Sequence, residues 1–570
     1  MFLILNVRTF IMLLFCGNIA DMMRKPNILI FFLLLIVLVS MNTFAQNKDG
    51  EIENQQIIVE KSRKIELPEA QRNFEKITIQ KKTVDITRQS YNFNDYNLSL
   101  PFLDAKLKIL SVKEEPLSKL YANYLKGGLG NYATTYLEGF LYNKRSEKFA
   151  YGANLRHFAS ARGPLKNSGL SDNHILLYGK YLMPDFTIES DLGYYRTARH
   201  FYGYDQSKEV SKDSMRQVFN NIAWNLGFKN NDSTAALTYQ ANVEISNITD
   251  RFKASETEGL IRYRTQLSLD SLTTTGARGT ISIANRSDIT TYVRNLISLQ
   301  PFYQRKIENF TLTGGINFAY ENDTLNSKKN FHIYPSLNAE YALKDYKLSF
   351  FAGLDGNMER NTFRTTVKEN PWMTQRFALS HTNKQLDIYG GVYGNLLKKI
   401  SYRLQAAYLN YKNLPFMINN GKDSLRFALI YDPSVVKVVR LKADISYNID
   451  KKMLAGVQFT YQSFTVSNFL KQPWHMPKMQ ANYYLTYFFK DKIIFNLNSY
   501  MFAGIKALGT NGKEKDLPTI MDLNLKADYL FSKNFSAFLE LNNLLANKYQ
   551  RYLYYSQKGI NFLLGATCSF

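Results

Sequence analysis

The stretch MDLNLKADY, residues 521–529, alternates strictly between apolar and polar side chains. Successive side chains of a β-strand point to opposite faces of its sheet, so this period of two predicts a strand with one apolar face and one polar face. The stretch LKADISYNI, residues 441–449, repeats the pattern, and further copies lie at 186–195, 237–245 and 333–341. No stripe with the helical period of 3.6 residues stands out after about Leu117. The sequence therefore predicts an all-β fold for this part of the chain.

The connections between these predicted strands decide which all-β fold is expected. Tight polar turns are predicted near Arg145, Pro184, Asn231, Thr274, Glu308, Lys344, Lys398, Lys451, Asp491 and Lys533. Longer irregular connections lie between them, at 160–172, 199–212, 361–381, 413–423 and 507–517. Short turns at one end and long loops at the other are typical of transmembrane β-barrels, whose short turns face the periplasm.

The number of turns sets the number of strands. Ten turns join twenty strands, and further strands at 120–130 and 560–570 complete the ring. The sequence therefore predicts a transmembrane antiparallel β-barrel of about 22 strands, with both termini in the periplasm. Barrels of this size belong to outer-membrane transporters with a blocked lumen. A soluble sandwich with aromatic residues in its core is the alternative interpretation of the same strands.

Composition excludes several classes of protein. The 570 residues are 45% apolar with a mean hydropathy of -0.29, too little for a bundle of membrane helices of about 20 apolar residues each. Aromatic residues make up 14% of the chain, which argues against an intrinsically disordered protein. The two cysteines, Cys16 and Cys568, lie near opposite ends of the chain. Neither a disulfide framework nor a cysteine metal site is therefore expected.

The chain carries a formal net charge of +23 at pH 7, a balance that raises the question of an anionic partner. Its lysines and arginines are spread among Asn, Tyr and Phe, without the run of five or six cations that is typical of nucleic-acid tails. We therefore expect no nucleic-acid partner. Outer-membrane lipids and lipopolysaccharide, which carry phosphate groups, are the expected anionic partners.

The N-terminal residues have the pattern of a secretory signal peptide. Arg24 and Lys25 precede an apolar stretch at 28–39, and Thr43 and Ala45 stand where a signal peptidase would cleave. We assign 1–22 to an upstream start codon chosen in error, 23–45 to the signal peptide, 46–117 to a short periplasmic or luminal segment and 118–570 to the barrel. A signal anchor that stays attached is the alternative, although the apolar stretch is short for a bilayer.

Motifs that carry chemistry are missing from the sequence. No nucleophile elbow, P-loop, paired-histidine zinc motif or calcium loop occurs, and the six histidines are scattered. Nothing selects the trio of Ser, His and an acid that a membrane hydrolase would need. We therefore predict no enzyme activity, no catalytic residue, no bound metal and no cofactor.

The polar faces of the predicted strands would line the lumen of the barrel. They carry Glu189, Asp191, Glu244, Glu340, Asp444, Asp522, Asp528 and Glu540 beside Arg403, Lys442 and Lys526. These charges either hold a plug segment and filter solutes or simply solvate the wall, since lumen residues must be polar in any case. In the predicted long loops, Trp372 and Trp474 are candidates for contact with a ligand or partner, or for anchoring at the membrane interface.

The C-terminal region is similar to known outer-membrane proteins. The last predicted strand ends on Phe570, which resembles the C-terminal assembly signal of bacterial outer-membrane barrels. The stretch FLELNNLLANKY, residues 538–549, resembles the closing strands of TonB-dependent receptors. An earlier strand start with Trp474, Met476 and Pro477 is similar to receptor-like barrels of Bacteroidetes that lack a plug. The resemblance implies an outer-membrane barrel that transports a solute.

The resemblance does not extend to the N-terminal region. TonB-dependent receptors carry a plug domain inside the barrel, and 46–117 is too short for a full one, so the sequence leaves energy coupling through TonB open. We expect solute transport or uptake, with 46–117 or a second protein, such as a plug or surface lipoprotein, as the stopper. The alternative is a non-enzymatic barrel scaffold that binds partner proteins of a surface or assembly complex.

Overall fold

The computed structural model describes residues 121–570, apart from 144–145, 233, 289–290, 324–329, 344–347, 397–398, 420, 422, 424 and 450–451. The predicted upstream start, the signal peptide and the 46–117 segment lie outside the described residues. The same holds for the predicted turn positions Arg145, Lys344, Lys398 and Lys451.

Within the described part, the chain forms 28 strands and one short helix, α1 (Phe363–Glu369). The strands are β1 (Asn123–Gly130), β2 (Thr134–Tyr142), β3 (Phe149–Ser160), β4 (Leu170–Leu182), β5 (Phe186–His200), β6 (Arg216–Asn230), β7 (Leu237–Asp250), β8 (Ser255–Ser268), β9 (Thr273–Ser287), β10 (Thr291–Ile307), β11 (Phe310–Glu321), β12 (Phe331–Leu343), β13 (Leu348–Glu359), β14 (Thr382–Leu396), β15 (Ile400–Lys412), β16 (Pro415–Asn419), β17 (Phe427–Tyr431), β18 (Val436–Ile449), β19 (Met453–Thr465), β20 (Met479–Phe489), β21 (Ile493–Ala503), β22 (Lys506–Leu508), β23 (Glu514–Asp516), β24 (Ile520–Leu530), β25 (Phe535–Asn542), β26 (Gln550–Tyr552), β27 (Tyr555–Ser556) and β28 (Asn561–Ser569).

The described strands include a closed antiparallel sheet of 22 members, which confirms the predicted barrel and its strand number. Each member pairs with the next along the chain, and β28 pairs with β1 to close the ring. At this seam the backbone N–H of Asn123 donates to the carbonyl of Phe570 over 3.0 Å. A closed ring has no free edge, so the backbone polar groups of the wall find partners within the sheet, as hydrocarbon requires. The other six described strands form three hairpins, β16–β17, β22–β23 and β26–β27.

The two faces of the barrel wall differ in chemistry. On β1, Leu125 and Leu129 point to one face and are 42% and 69% exposed. Lys126, between them, points to the other face, where its Nζ lies 2.8 Å from Oε1 of Glu540 on β25. The apolar face also carries the exposed side chains of Ile245, Ile283, Leu337, Leu441 and Leu564. We assign this apolar face to the outside of the barrel, where hydrocarbon can cover it, and the charged face to the lumen.

Short turns occupy one end of the barrel, which we call the short-turn end. Described turn residues lie at 183–185, 231–232, 234–236, 269–272, 308–309, 490–492 and 531–534. The turn predicted near Thr274 lies a few residues earlier, because Thr274 already belongs to β9. The Asp270 carboxylate makes this turn by accepting the backbone N–H groups of Leu272 and Thr273, each over 2.7 Å. A side chain that bonds its own backbone two residues on is a turn signal.

Long connections occupy the opposite end, the long-loop end. They include 161–169, 201–215, 360–381, 413–435, 466–478, 504–519 and 543–560, and they hold α1 and the three hairpins. Both Asn123 and Phe570 lie at the short-turn end. Among the described residues, no helix has the length and apolar character that a bilayer crossing requires.

Candidate functional site

Buried side chains from five loops and the adjoining strand ends form a hydrophobic layer across the long-loop end, which we call the loop layer. Its members are Phe201, Tyr202, Phe219, Ile248, Ala254, Phe363, Val367, Trp372, Met373, Phe377, Leu379, Met417, Phe427, Tyr552 and Tyr555. They come from the connections β5–β6, β7–β8, β13–β14, β15–β18 and β25–β28. Because β5 and β15 lie near opposite sides of the 22-stranded ring, the loop layer bridges the mouth of the barrel.

The centre of the loop layer is a stack of aromatic rings. Trp372 and Tyr555 lie with ring centroids 4.0 Å apart and planes inclined by 23°. Tyr202 meets Tyr555 edge-on at 5.0 Å. Aromatic pairs in such arrangements contribute about 0.5–1.5 kcal/mol beyond their buried area. The Trp372 indole N–H donates to the carbonyl of His200 over 2.9 Å, so the buried ring leaves no polar group unpaired.

The last loop, residues 543–560, is shaped by its own asparagines. Asn543 adopts a φ of 51°, in the left-handed region that Asn tolerates better than most residues. Its side-chain Nδ2 donates to the carbonyls of Asn547 and Lys558 over 3.0 and 2.8 Å. Its Oδ1 accepts the backbone N–H of Asn547 over 3.1 Å. These bonds give Asn543, one of the asparagines of the stretch 538–549, a structural role.

Tyr549 connects the last loop to the barrel wall. Its hydroxyl donates to Oδ2 of Asp522 over 2.5 Å, and Tyr500 of β21 donates to the same oxygen over 2.7 Å. The two phenol oxygens lie 2.6 Å apart. Burial, together with the hydrogen bond to Asp522, raises the pKa of Tyr549 well above its ordinary value, so the phenol remains a donor. Asp522, predicted as a lumen charge, therefore holds a loop.

A second buried cluster lies beside the loop layer, around Trp474, and includes Leu409, Phe416, Val436 and Leu470. Trp474 is only 4% exposed. Trp372 is 7% exposed. Both indoles are buried, and the contact with a ligand or partner, or the anchoring at the membrane interface, that the sequence suggests for them stays a prediction. In the structure both rings pack the loops together.

His475 joins three loops beside this cluster. Its Nδ1 lies 2.7 Å from the carbonyl of Met417, and its own carbonyl accepts Nη1 of Arg551 over 2.7 Å. The backbone N–H of Leu553 donates to Nε2 over 3.4 Å, which requires that nitrogen to be unprotonated. Burial lowers the pKa of His475 to about 4, and the nearby Arg551 acts in the same direction. The imidazole is thus neutral near pH 7.

The loop at 360–381, which we call the helical loop, joins β13 to β14 but packs on the lumen face of β7–β9, several strands away in the ring. The Glu256 carboxylate on β8 accepts the backbone N–H groups of Phe363 and Arg364, over 2.9 and 3.1 Å. These are the first residues of α1, whose free N–H groups and dipole favour a negative charge. Thr362 adds a capping box. The helix start is therefore tied to β8.

Arginines fix the rest of the helical loop. Arg286 on β9 is fully buried, donates to the carbonyl of Phe377 over 3.0 Å and lies 4.4 Å from the centroid of that ring. Arg360 and Arg364 of the helical loop pair with Glu258 on β8 and Glu244 on β7, respectively. Breaking one partner of a buried pair costs about 3–5 kcal/mol. The helical loop is consequently held against β7–β9.

A second buried arginine connects the helical loop to the β11–β12 connection. Nε of Arg294 lies 2.8 Å from Oδ1 of Asp323, and both side chains are 1% exposed. Asp323 also accepts the Ser380 hydroxyl over 3.1 Å. Nη2 of Arg294 lies 3.2 Å from Nδ1 of His381. Burial, with Arg294 beside the ring, lowers the pKa of His381 to about 3, so Arg294 donates to a neutral imidazole.

The other predicted lumen charges lie on the inner face, most of them with a partner in the wall. Lys526 pairs with Asp528 at 2.9 Å, Glu189 with Lys180 at 3.3 Å, and Glu540 with Lys126 as described. Asp191 accepts Nδ2 of Asn225 over 2.8 Å, Glu340 accepts the Tyr393 hydroxyl, and the Arg403 guanidinium lies 4.5 Å from the Phe351 ring centroid. Lys442 and Asp444 follow one another on the inner face of β18. The structure thus spreads these charges around the ring and does not gather them into one site.

Two remaining predictions concern the chain end and metals. Phe570 is 52% exposed and follows the strand that closes the ring; its role as an assembly signal stays a prediction. In the described part of the chain, no group of three or more His, Cys, Asp or Glu side chains is arranged to hold a metal ion.

The closed 22-stranded sheet with loops packed at one end defines a large antiparallel β-barrel of the transmembrane type. The FrpB iron transporter of Neisseria meningitidis superposes with a TM-score of 0.63 at 10% identity, over 80% of this chain and 82% of that one. The ferric enterobactin receptor PfeA of Pseudomonas aeruginosa, as a double mutant, gives 0.58 at 12% identity, over 79% and 80%. The siderophore receptor PirA of the same species gives 0.55 at 13% identity, over 79% of each chain. No protein-family model and no curated protein sequence matches this chain. At these identities the likeness establishes the fold alone.

Sequence reasoning missed the residues that build the loop layer. Tyr552 and Tyr555 carry no local signal beyond their aromatic character, and their partners lie far away along the chain. The buried charges Glu256, Arg286 and Arg294 are polar residues near the loop-side ends of predicted strands. The connections beside them, between β7 and β8 and between β9 and β10, are short, so the sequence carries no local signal that a loop docks on these residues.

Proposed function

We propose that the chain is an outer-membrane transport protein that takes up a solute through its lumen, with the loop layer as the closed outer gate. The observation that carries the proposal is the hydrophobic loop layer across the mouth of a polar lumen. Side chains of the wall such as Glu256 and Arg286 hold the loops, whereas the wall itself is held by the backbone hydrogen bonds of the sheet, so the loops can rearrange while the barrel stays intact. The names of the structurally similar proteins make iron chelates the first solutes to test.

The proposed orientation follows from the usual arrangement of such barrels. Short turns face the periplasm and long loops face outward, so both Asn123 and Phe570 would lie on the periplasmic side of a bacterial outer membrane. Outer-membrane lipids and lipopolysaccharide would contact the apolar outer face. The 46–117 segment or a separate plug or surface lipoprotein remains the proposed stopper, and TonB the candidate source of energy.

Conductance in planar bilayers tests the gate. The wild-type protein should pass little current, because the loop layer closes the mouth. A double variant, Trp372→Ala with Tyr555→Ala, removes the central stack, and each truncation of a buried aromatic side chain costs about 3–5 kcal/mol. It should open the layer and give large currents. Tyr483→Ala, on the outer face where Tyr483 is 41% exposed, is the control and should behave as wild type.

If the double variant still passes little current, a second change tests whether the 46–117 segment blocks the lumen. Deleting 46–117 from the double variant should then release current if that segment is the stopper. A folded barrel that stays closed after both changes would contradict a transport path.

A non-enzymatic scaffold is the second candidate, and the burial of Trp372 and Trp474 favours it, because tightly packed loops offer a fixed surface to partner proteins. A sealed scaffold passes no current in any variant. Stoichiometric co-purification of a partner from native membranes, lost on loosening the loop layer, would support this function.

A further inference from the structure

Five neighbouring strands place cations and amides in one row across the barrel wall, which we call the cationic row. In register, it consists of Lys229 on β6, Gln240 on β7, Arg264 on β8, Arg278 on β9 and Gln300 on β10. Side chains directly opposite on antiparallel strands have Cβ atoms about 5 Å apart. Arg264 and Arg278 therefore stand side by side.

The cationic row lies on the lumen face. Arg262, two residues before Arg264, has its Nη1 3.8 Å from Oε2 of Glu244, and residues two apart on a strand share a face. The intervening positions carry the exposed apolar side chains of the outer face, such as Ile261 at 38% exposure. The two arginines are thus exposed to the lumen and not to lipid.

The cationic row lacks a counter-charge of its own. Among the residues that the structure describes, no carboxylate pairs with Lys229, Arg264 or Arg278. The neighbouring acids are engaged elsewhere, Glu189 with Lys180 at 3.3 Å and Glu244 with Arg262 and Arg364. Like charges directly opposite on a sheet destabilise it, so an arginine pair without an acid is an unusual element of a wall.

Two other arginines of the lumen wall stand opposite an acid. Arg156 lies directly opposite Glu138, in register between β3 and β2. Arg403 lies directly opposite Asp444, between β15 and β18. We infer that the Arg264–Arg278 pair is a binding site for an oxyanion, a carboxylate or phosphate group carried by the solute. This inference rests on the proposed transport function, because it places the anion on the solute that passes through the lumen.

The geometry of the pair suits such a group. Oε1 of Gln300 accepts Nε of Arg278 over 2.9 Å, which orients the guanidinium and leaves its two terminal nitrogens as donors. A planar guanidinium binds carboxylate or phosphate oxygens through two parallel hydrogen bonds. Arg264 supplies a second set of donors from the adjacent strand, and the Gln240 amide lies next to it in the row. The site would therefore hold one oxyanion between two arginines.

Equilibrium binding to the full-length protein in detergent tests the site. Inorganic pyrophosphate and citrate serve as probes in isothermal titration calorimetry at fixed ionic strength. Arg264→Glu places an acid opposite Arg278 and should lower the affinity about tenfold or more, since hydrogen bonds to charged groups contribute about 1.5–3 kcal/mol. Arg156→Gln, which removes one arginine from the same lumen face, should leave the affinity within about twofold of wild type.

The outcomes separate the site from the transport function. Binding of either probe that Arg264→Glu removes and Arg156→Gln keeps supports the site, and the preferred probe identifies a carboxylate or a phosphate group. No binding to wild type, or equal losses in both variants, overturns it. Because binding is measured without any current, a protein that binds the probe but never conducts would retain this site while losing its proposed transport role.

Discussion

The phenol of Tyr549 donates a 2.5 Å hydrogen bond to the carboxylate of Asp522. Tyr549 belongs to the last loop and Asp522 to the loop-side end of β24, so this bond links the last loop to the wall. Asp522 is only 5% exposed, and among the described residues its second oxygen, Oδ1, has no hydrogen-bond partner. The buried carboxylate therefore depends on Tyr549 and Tyr500.

Tyr549→Phe should loosen the last loop. The change removes one of two donors to a buried carboxylate, which costs about 1–3 kcal/mol. Limited proteolysis at 543–560 and thermal unfolding in detergent measure the effect. The control is Tyr529→Phe. Tyr529 lies on β24, the strand of Asp522, but on its outer face, where it is 41% exposed. If both variants are cleaved at the wild-type rate, the bond does not hold the loop.

Glu256→Gln should release the start of α1. The neutral amide keeps one acceptor oxygen but loses the charge that stabilises the helix N-terminus, an effect of about 0.3–2 kcal/mol from the dipole alone. Hydrogen exchange of the Phe363 and Arg364 amides should accelerate. Glu189→Gln, which breaks an ion pair whose side chains are 39% and 44% exposed, should leave these amides unchanged, since exposed pairs contribute little. Equal protection in both variants would argue against the contact.

Acid should open the region around His475. Burial lowers the pKa of His475 to about 4, below the value of about 6.5 in an unfolded chain. The unfolded form binds more protons below about pH 6.5, so the stabilisation is present above that pH and is lost as the pH falls towards about 4. Hydrogen exchange at 473–477 should therefore accelerate over this range.

The histidine variant checks the cause of the acid effect. His475→Gln should reduce the pH dependence of exchange but leave a remainder, because His381, with a pKa lowered to about 3, acts in the same direction. His157→Gln, at an exposed position on β3, should keep the wild-type dependence. An unchanged profile in His475→Gln would assign the acid response to other groups.

Gly391→Ala should impair barrel formation. A Cβ at this position would lie 2.1 Å from the carbonyl oxygen of Leu404 and 2.7 Å from the Phe351 ring, and the backbone oxygen belongs to the paired strand and cannot move aside. Overpacking of this kind costs about 1–3 kcal/mol or more. Gly259→Ala, where nothing lies within 4 Å of the added atom, is the control. The folded fraction on unheated electrophoresis measures both, and equal yields would contradict the clash.

The barrel could be predicted because its signals are local. An apolar and polar alternation such as that of Leu441 to Ile449 fixes a strand and its two faces, and polar turns fix where strands reverse. The turn predicted near Thr274 was misplaced by a few residues. Asp270 shapes this turn through a side-chain hydrogen bond to the backbone, which composition does not reveal. Counting such local features was sufficient for the strand number.

The loop layer could not be predicted because its contacts join distant parts of the chain. Trp372 and Tyr555 are ordinary loop aromatics in the sequence, and only the closed ring brings their loops over the same opening. The lumen charges could be predicted only in part. The alternation of the strands predicts the face on which they lie. The partner of each charge, such as the tyrosine that binds Asp522 or the arginine opposite Arg264, depends on the register between strands and on the loops.

The last loop couples closure of the ring to covering of its mouth. Tyr552 and Tyr555 lie between the final two strands, β25 and β28, and belong to the loop layer. β28 also pairs with β1 and completes the sheet. One C-terminal hairpin therefore supplies both the last strand of the wall and a part of its cover, and a chain truncated before β25 would lack both.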